Sequence, residues 1–290
     1  MYENNQKPTI AICYDFDQTL SPKSMQEYGY INKLGMSMDD FWVERAKLSQ
    51  EYKSEAILTY LYLTMKSYKE KGLKLTRESL KALGKNIELF DGVTTWFKRI
   101  NDFGKSINVN IEHYIISSGL MPMIEGTEIA KEFKSIFACD FMYEKDGEPF
   151  WPAHSINYTT KTQYLYRINK GLLDTTTDEK VNESMDKDLR PIPFSNIIYV
   201  GDSFTDIPCM RLTVKNGGHA IGVYNPSHGL PEKLLTLVRD DRINFYAPAD
   251  YTENSMLDGI MKDIILKIKH SSNLNAHTVN QKYEAKNKLQ

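Results

Sequence analysis

The sequence has no long apolar run and almost no net charge. Its 290 residues include 36 lysines and arginines against 38 aspartates and glutamates, a formal net charge of -2. The chain therefore lacks the polybasic character that nucleic acid or anionic membranes attract. No stretch approaches the roughly 20 apolar residues of a membrane span. The N-terminus, MYENNQKP, also lacks the basic and then apolar layout of a secretory signal. We expect a cytoplasmic protein with no nucleic-acid or membrane partner.

Cysteine is scarce. The three cysteines, Cys13, Cys139 and Cys209, are odd in number, far apart and without the spacing of a metal site. This pattern argues against a disulfide framework and against zinc, and it is typical of reduced, buried thiols in a cytoplasmic protein. The length fits one large domain or two modest ones. The oligomeric state is left open.

Short apolar runs alternate with amphipathic helical patterns along most of the chain. This alternation predicts an α/β fold, a Rossmann-like, doubly wound and mainly parallel sheet. Ligands of such sheets bind just beyond the carboxyl ends of the strands. The predicted strands are Thr9–Tyr14, Glu112–Ile116, Ile136–Phe141, Asn196–Val200 and Ala220–Tyr224, and helices are predicted over Thr94–Phe103, Met121–Phe133 and Thr162–Ile168.

One long segment, residues 23–88, interrupts the alternation and has a helical composition throughout. Ser37 with Asp40, and separately Thr76, mark two helix starts, and one long helix is predicted up to Gly72. We interpret the segment as an all-helical insertion, a cap, in a core made of residues 1–22 and 89–290.

The remaining stretches give coarser predictions. Residues 146–148, DGE, predict a β-hairpin, and the polar residues 174–188 a surface loop. A last strand and an amphipathic closing helix follow, and the polar tail after Ser271 is expected to be disordered.

The first predicted strand ends in DFDQT, with two acids one residue apart. On an extended chain Asp15 and Asp17 point to the same side. At ~4 Å and an effective dielectric near 20, their repulsion is about 4 kcal/mol. By itself the motif is also compatible with a polar turn. The repulsion between Asp15 and Asp17 must be offset by groups from elsewhere in the chain.

Three further motifs fall at strand ends or helix starts: IISSG with Ser117 directly after a strand, TTKTQYL with Lys161 opening a helix, and GDSFTD with Asp202 and Asp206. Serine and glycine are common in turns and caps, so the serine and GDSFTD motifs are unremarkable alone. Lys161 is different, because a cation in the first turn opposes the helix dipole. It is better explained if it faces negative charge.

In a doubly wound sheet these motifs converge at one edge, which brings Asp15, Asp17, Asp202 and Asp206 together. Clustered carboxylates need a cation, and oxygen ligands without histidine or cysteine favour Mg²⁺ over Zn²⁺. The metal would offset the repulsion between Asp15 and Asp17.

The other groups at this edge suit a phosphate dianion. Lys161 offers an ammonium and Ser117 a hydroxyl, and backbone N–H groups are expected around Ser118 and Gly119. Asp15 could then attack phosphorus. Asp17 could protonate the leaving oxygen and deprotonate the hydrolytic water.

These residues, in this order, resemble the haloacid dehalogenase (HAD) superfamily of phosphohydrolases, over residues 10–269. The resemblance implies a Rossmann-like core and, for an insertion between the first two motifs, a helical C1 cap as in phosphoserine phosphatase. It implies that Asp15 is the nucleophile and a Mg²⁺ ligand, and that Asp202 is another ligand. It also implies that Asp17 is the general acid and base, with its backbone carbonyl on the metal.

The resemblance further implies that Ser117 and Lys161 hold the phosphate, with Ser118 and Gly119 beside them, and that Asp206 and Thr19 support the ligands. The acid at position 17 favours phosphomonoester chemistry over dehalogenation. The acidic cap residue of phosphoserine phosphatases has no clear counterpart, and Glu27 is a candidate by proximity only.

The leading hypothesis is a Mg²⁺-dependent phosphatase acting on a small phosphorylated metabolite through an aspartyl phosphate. One alternative is a phosphotransferase of the same family. A second alternative is a phosphoacceptor signalling module resembling receiver domains, which would retain its aspartyl phosphate. A third is a Mg²⁺-binding scaffold without catalytic activity.

Overall fold

A seven-stranded sheet organises the computed structural model, which describes residues 7–202 and 204–289. Residues 1–6 of the predicted core segment lie outside the described residues. The strands follow the spatial order β4-β3-β2-β1-β5-β6-β7. Their bounds are β1 Thr9–Tyr14, β2 Asn110–Leu120, β3 Ser135–Tyr143, β4 Pro149–His154, β5 Ile197–Gly201, β6 His219–Tyr224 and β7 Phe245–Pro248.

Strand β1 lies at the centre and pairs in parallel with both β2 and β5. Its five residues from Ile10 to Tyr14 are fully buried, as expected for a parallel strand covered on both faces. Among the strands of the described residues, only β3 and β4 pair antiparallel, through the turn predicted at residues 146–148. The predicted α/β fold with a mainly parallel, Rossmann-like sheet is confirmed.

Helices flank the sheet and fill the insertion after β1. The α-helices are α1 Met38–Tyr52, α2 Ala56–Glu70, α3 Arg77–Gly84, α4 Val93–Ser106, α5 Met121–Glu125, α6 Lys161–Lys170, α7 Asp178–Asn182, α8 Ile207–Lys215, α9 Glu232–Arg239 and α10 Met256–Leu289. Short 3₁₀ turns cover Met25–Tyr28, Asn32–Leu34, Ala130–Glu132, Lys187–Leu189, Phe194–Asn196 and Pro226–His228.

The insertion contains α1, α2 and α3, and its two ends meet. The backbone N–H of Phe90 donates to the carbonyl of Leu20 at 2.9 Å. The single long helix predicted up to Gly72 is wrong, because Lys53 takes a left-handed conformation with φ of 49°. The Glu55 side chain then accepts from two backbone N–H groups and caps α2. The division into a core and a cap of residues 23–88 stays a prediction.

Helix α3 packs tightly on α5 beside the sheet. A Cβ added at Gly84 would overlap the backbone carbonyl of Met123. Arg77, at the start of α3, forms ion pairs with Glu125, at 2.8 Å, and with Asp140 on β3. The last helix of the insertion is therefore held to the α/β layer by both shape and charge.

Two further predictions are wrong in detail. The helix predicted over Met121–Phe133 ends at Glu125, where Thr127 bonds back to the Ile124 carbonyl and closes the turn. The loop predicted at 174–188 contains α7 and a 3₁₀ turn.

The prediction of a disordered tail after Ser271 is also wrong. The tail is helical to Leu289, as a continuation of α10. The sequence of this tail contains no proline or glycine, the two residues that most disfavour a helix. Within the described part of the chain, no helix combines the length and the apolar character needed to cross a membrane.

Candidate active site

The first two acids of the site follow neighbouring parallel strands. Asp15 comes directly after β1 and Asp202 directly after β5. The backbone N–H of Asp15 donates to the Val200 carbonyl at 3.0 Å, so the strand pairing continues to the edge of the sheet. The strand order reverses between β1 and β5. Ligands of open α/β sheets bind at such a switch point.

A tight turn follows Asp15. The backbone N–H groups of Leu20 and Ser21 both donate to the carbonyl of Phe16, at 2.9 and 3.2 Å. Gln18 within the turn has a positive φ of 58°. The turn directs the Thr19 hydroxyl toward β5, where it donates to Oδ1 of Asp202 at 3.5 Å. Thr19 thus lies beside Asp202, as a supporting partner would.

Lys161 is buried among the acids. Its Nζ lies 2.9 Å from Oδ2 of Asp15 and 2.8 Å from Oδ1 of Asp206. The lysine has no exposed surface. Its position in the first turn of α6 therefore has the explanation the sequence suggests: the ammonium faces negative charge, which outweighs the unfavourable helix dipole.

Tyr199 is a member of this cluster that sequence reasoning missed. Its hydroxyl donates to Oδ1 of Asp206 at 2.8 Å, and its ring is fully buried on β5. The available signal is a tyrosine in the otherwise aliphatic strand IIYVG, which precedes the acids. The oxygen of Asp206 that faces Lys161 is thus held by two donors.

Burial raises the pKa values of Asp15, Asp17 and Asp202. For Asp15 burial is the main cause and the charge of Asp206 adds to it, while Lys161 acts in the opposite direction. Burial and the charge of Asp15 raise the pKa of Asp17 to about 8. Burial also raises the pKa of Asp202, with Asp206 contributing next. Burial alone would lower the pKa of Lys161, but the charges of Asp15 and Asp206 raise it overall.

The donor set fits a hard cation. One carboxylate oxygen from each of Asp15, Asp202 and Asp206 lies within 4.8 Å of the others. These acids outnumber the single ammonium of Lys161, so the cluster carries uncompensated negative charge when ionised. An oxygen-only site of this charge suits Mg²⁺ rather than a softer metal.

The Asp17 carboxylate does not belong to that group of oxygens. Its Oδ1 accepts from the backbone N–H of Met25 at 2.9 Å, in the 3₁₀ turn that opens the insertion. Glu27 caps the same turn by accepting from the N–H of Ser24 at 3.0 Å and is exposed. Glu27 therefore has a local structural partner, and Asp17 faces the insertion.

The Ser117–Gly119 stretch differs from its prediction. Strand β2 runs to Leu120, so Ser117 does not follow the strand; instead the pairing with β3 shifts register between Ile116 and Leu120. The buried Ser117 hydroxyl accepts from the N–H of Gly119 at 3.0 Å. The Ser118 hydroxyl is buried and has no hydrogen-bond partner within the described chain. This irregular stretch leaves an unused hydroxyl at the end of β2.

A small cavity of about 140 Å³ lies beside the acids. It is lined by Gln18 and Asp202 and also by His228 and Lys233. The charge of Lys233 acts to lower the pKa of Asp202. The cavity therefore adds positive charge at the rim of an otherwise acidic site, which favours the approach of an anion.

An uncharacterized protein of Borreliella burgdorferi is 29% identical over 293 residues, which cover 91% of this chain and the whole of that protein. No protein-family model matches the chain.

Two solved structures have the same fold. A HAD family hydrolase from Salmonella enterica subsp. enterica serovar Typhi superposes with a TM-score of 0.51 and 17% identity, over 83% of this chain and 68% of that one. A phosphoserine phosphatase with an analogue of its phospho-aspartyl intermediate superposes with a TM-score of 0.51 and 17% identity, over 88% of this chain and 99% of that one. The chain therefore shares the fold of this HAD family hydrolase and of this phosphoserine phosphatase.

The raised pKa values predict how stability depends on pH and Mg²⁺. A carboxyl whose pKa is higher in the folded state than in the unfolded state loses its stabilising contribution as the pH rises through the folded value. The metal-free protein should therefore lose stability between about pH 4 and pH 8. Saturating Mg²⁺ should raise the melting temperature by about 3–5 °C at pH 8.5 and by less than about 1 °C at pH 5.

Differential scanning fluorimetry with EDTA or Mg²⁺ measures both effects. Asp202→Asn should remove most of the Mg²⁺ response, whereas Asp39→Asn, at an exposed position of α1, should retain it. An Mg²⁺ shift of the same size at both pH values would contradict a metal site built from these carboxyls.

Proposed function

We propose that the protein is a Mg²⁺-dependent phosphatase that hydrolyses a small phosphomonoester through an aspartyl phosphate on Asp15. The observation that carries the proposal is the buried contact of Lys161 with Asp15 and Asp206 at the switch point of the sheet. A purely structural ion pair would not require two further acids, Asp17 and Asp202, beside it. The fold of HAD family hydrolases supports the same reaction class.

Asp15 would supply the attacking oxygen. Its Oδ2 is held by Lys161 and its Oδ1 accepts from the N–H of Phe16 at 2.7 Å, so the carboxylate is oriented before a substrate binds. In the proposed step an oxygen of Asp15 forms a bond to phosphorus while the bond between phosphorus and the alcohol oxygen breaks. The released oxygen then needs a proton.

Asp17 would supply that proton. With a pKa of about 8, its carboxyl is mainly protonated at neutral pH in the metal-free protein, and its position on the insertion side suits the leaving alcohol. After the alcohol leaves, the Asp17 carboxylate would take a proton from the water that attacks the aspartyl phosphate. The phosphate is then released and both acids return to their starting states.

Mg²⁺ would be held by Asp15, Asp202 and the backbone carbonyl of Asp17, and when bound it would neutralise charge on the phosphoryl oxygens. Ser117, Ser118, Gly119 and Lys161 would hold the same oxygens from the other side. The place of this stretch at the end of β2, where the pairing with β3 shifts register, supports this assignment. Asp206 and Thr19 would hold Lys161 and Asp202 in place.

Release of phosphate from p-nitrophenyl phosphate tests the function directly. We expect continuous turnover with Mg²⁺ and none with EDTA. Turnover that EDTA leaves unchanged would contradict the proposal. A signalling module would instead incorporate about one phosphoryl group per chain and stop, so the number of turnovers separates a hydrolase from a switch. Adding a competing alcohol and measuring its phosphorylation separates hydrolysis from phosphotransfer.

A further inference from the structure

The 3₁₀ turn at Met25–Tyr28 is fixed between the two halves of the candidate site. The N–H of Met25 donates to Asp17 at 2.9 Å, and the Met25 sulfur accepts from the N–H of Leu120 at 2.9 Å. The Met25 side chain also occupies the space that a Cβ on Gly119 would need. The backbone that leads into the next residue, Gln26, is therefore anchored at Asp17 and at the end of β2.

Gln26 belongs to a buried polar cluster that the insertion contributes. The amide Nε2 of Gln26 donates to the hydroxyl of Tyr60 on α2 at 3.4 Å, and that hydroxyl contacts the hydroxyl of Tyr30. The Tyr68 hydroxyl in turn donates to the backbone carbonyl of Tyr30 at 2.7 Å. The positions of Gln26, Tyr30 and Tyr60 are thus fixed by contacts within the insertion.

The cluster lies close to the proposed acid. Burial raises the pKa values of Tyr30 and Tyr60, and the charge of Asp17 adds to both shifts. Both phenols therefore stay protonated at neutral pH, and both lie within electrostatic reach of Asp17. The group that protonates a leaving oxygen lies next to it, so the surroundings of Asp17 face the alcohol part of a substrate.

One atom of the cluster is left without a partner. The carbonyl Oε1 of Gln26 is buried, in a side chain only 6% exposed, and makes no hydrogen bond to any described residue. A buried acceptor without a donor is costly and calls for an explanation. The hydrogen-bonding side chains around it, Tyr30 and Tyr60, are uncharged. A neutral donor such as a hydroxyl would satisfy the atom.

We propose that Gln26, supported by Tyr60 and Tyr30, binds a hydroxyl group on the alcohol part of the substrate and selects phosphorylated polyols or sugars. This inference rests on the proposed phosphatase function. A carboxylate in the same position would find only neutral side chains in the cluster and no charged partner among them. The site should therefore disfavour phosphoserine, in line with the position of Glu27, which caps its own turn and is exposed.

Matched substrates test the proposal with wild-type protein and Mg²⁺. Propyl phosphate and 3-hydroxypropyl phosphate differ in one hydroxyl, and glycerol 3-phosphate adds a second. Phosphoserine carries an ammonium and a carboxylate in place of the two hydroxyl-bearing groups of glycerol 3-phosphate. We expect kcat/KM for the better of the two hydroxylated substrates to exceed that for propyl phosphate by about tenfold, the usual size of one good hydrogen bond. Phosphoserine should be hydrolysed less efficiently than either hydroxylated substrate.

Variants assign the preference to this cluster. Gln26→Leu should reduce the ratio between hydroxylated and plain substrate to about one, and Tyr60→Phe should reduce it in part. Gln50→Leu, an exposed glutamine of α1, is the control and should keep the wild-type ratio. If Gln26→Leu does not fold, the comparison of substrates in the wild-type protein still decides whether the preference for a hydroxyl group exists, and Tyr60→Phe tests its location.

The outcomes separate the two proposals. Hydrolysis of p-nitrophenyl phosphate with no preference for hydroxylated substrates, or a preference that Gln26→Leu retains, would overturn the role of Gln26 and leave the phosphatase function standing. A preference for phosphoserine would also overturn it. No release from any of these phosphates would overturn the function and this inference together.

Discussion

Asp15→Asn is expected to lower Mg²⁺-dependent phosphate release by at least about 10⁴-fold, the scale of loss seen when a catalytic nucleophile is removed. The amide retains the shape of the carboxylate but cannot form the acyl phosphate. The change removes one charge from a buried cluster that has more acids than cations, so it should not unfold the protein. Lys161 would still pair with Asp206 at 2.8 Å.

Phosphate release and thermal unfolding should be measured on the same preparations. Asp39→Asn, the same chemical change at an exposed position of α1, provides the control and should retain wild-type turnover. An Asp15→Asn protein that keeps more than about one tenth of the activity would rule out Asp15 as the nucleophile.

Lys161→Met is expected to lower the free energy of unfolding by about 3–5 kcal/mol at pH 7.5 in EDTA, the usual cost of leaving buried charges without their partner. The lysine has no exposed surface and contacts two carboxylates. The loss should shrink at pH 5, because carboxyls with raised pKa values take up protons there. Phosphate release should fall by at least about 10²-fold.

Urea unfolding of a second variant separates charge from packing. Lys161→Met with Asp206→Asn should recover much of the lost stability, because fewer acids remain unpaired, yet it should stay inactive. Lys98→Met, which breaks the exposed pair with Asp102 on α4, should leave the unfolding midpoint nearly unchanged. A double variant no more stable than Lys161→Met would show that the cost is not electrostatic.

The sheet and the positions of the acids follow from local sequence patterns. Strand β1 is a short apolar run, and the other strand candidates are also short and mostly apolar, so their order along the chain predicts the fold. The acids then fall together because parallel strands end at one edge. Lys161 is identifiable for a separate reason, since its place in a first helical turn is unfavourable unless acids lie opposite.

Other features depend on contacts that local patterns do not contain. The break between α1 and α2 depends on the left-handed Lys53 and on Glu55 turning back to cap α2. Tyr199 and Tyr60 are ordinary aromatic residues in a strand and a helix, and their importance comes from their hydrogen-bond partners. Tyr199 bonds to Asp206, seven residues later in the chain, and Tyr60 bonds to Gln26, 34 residues earlier. Such pairs become visible only in three dimensions.

Trapping the covalent intermediate tests the central claim most directly. The wild-type protein should be mixed with Mg²⁺ and a phosphomonoester, quenched in acid and treated with borohydride, which reduces an acyl phosphate to an alcohol. Peptide mass spectrometry should then find homoserine in place of Asp15, in amounts that depend on the substrate and on Mg²⁺. An active protein whose Asp15 remains unreduced, or whose reduced residue lies elsewhere, would contradict the account.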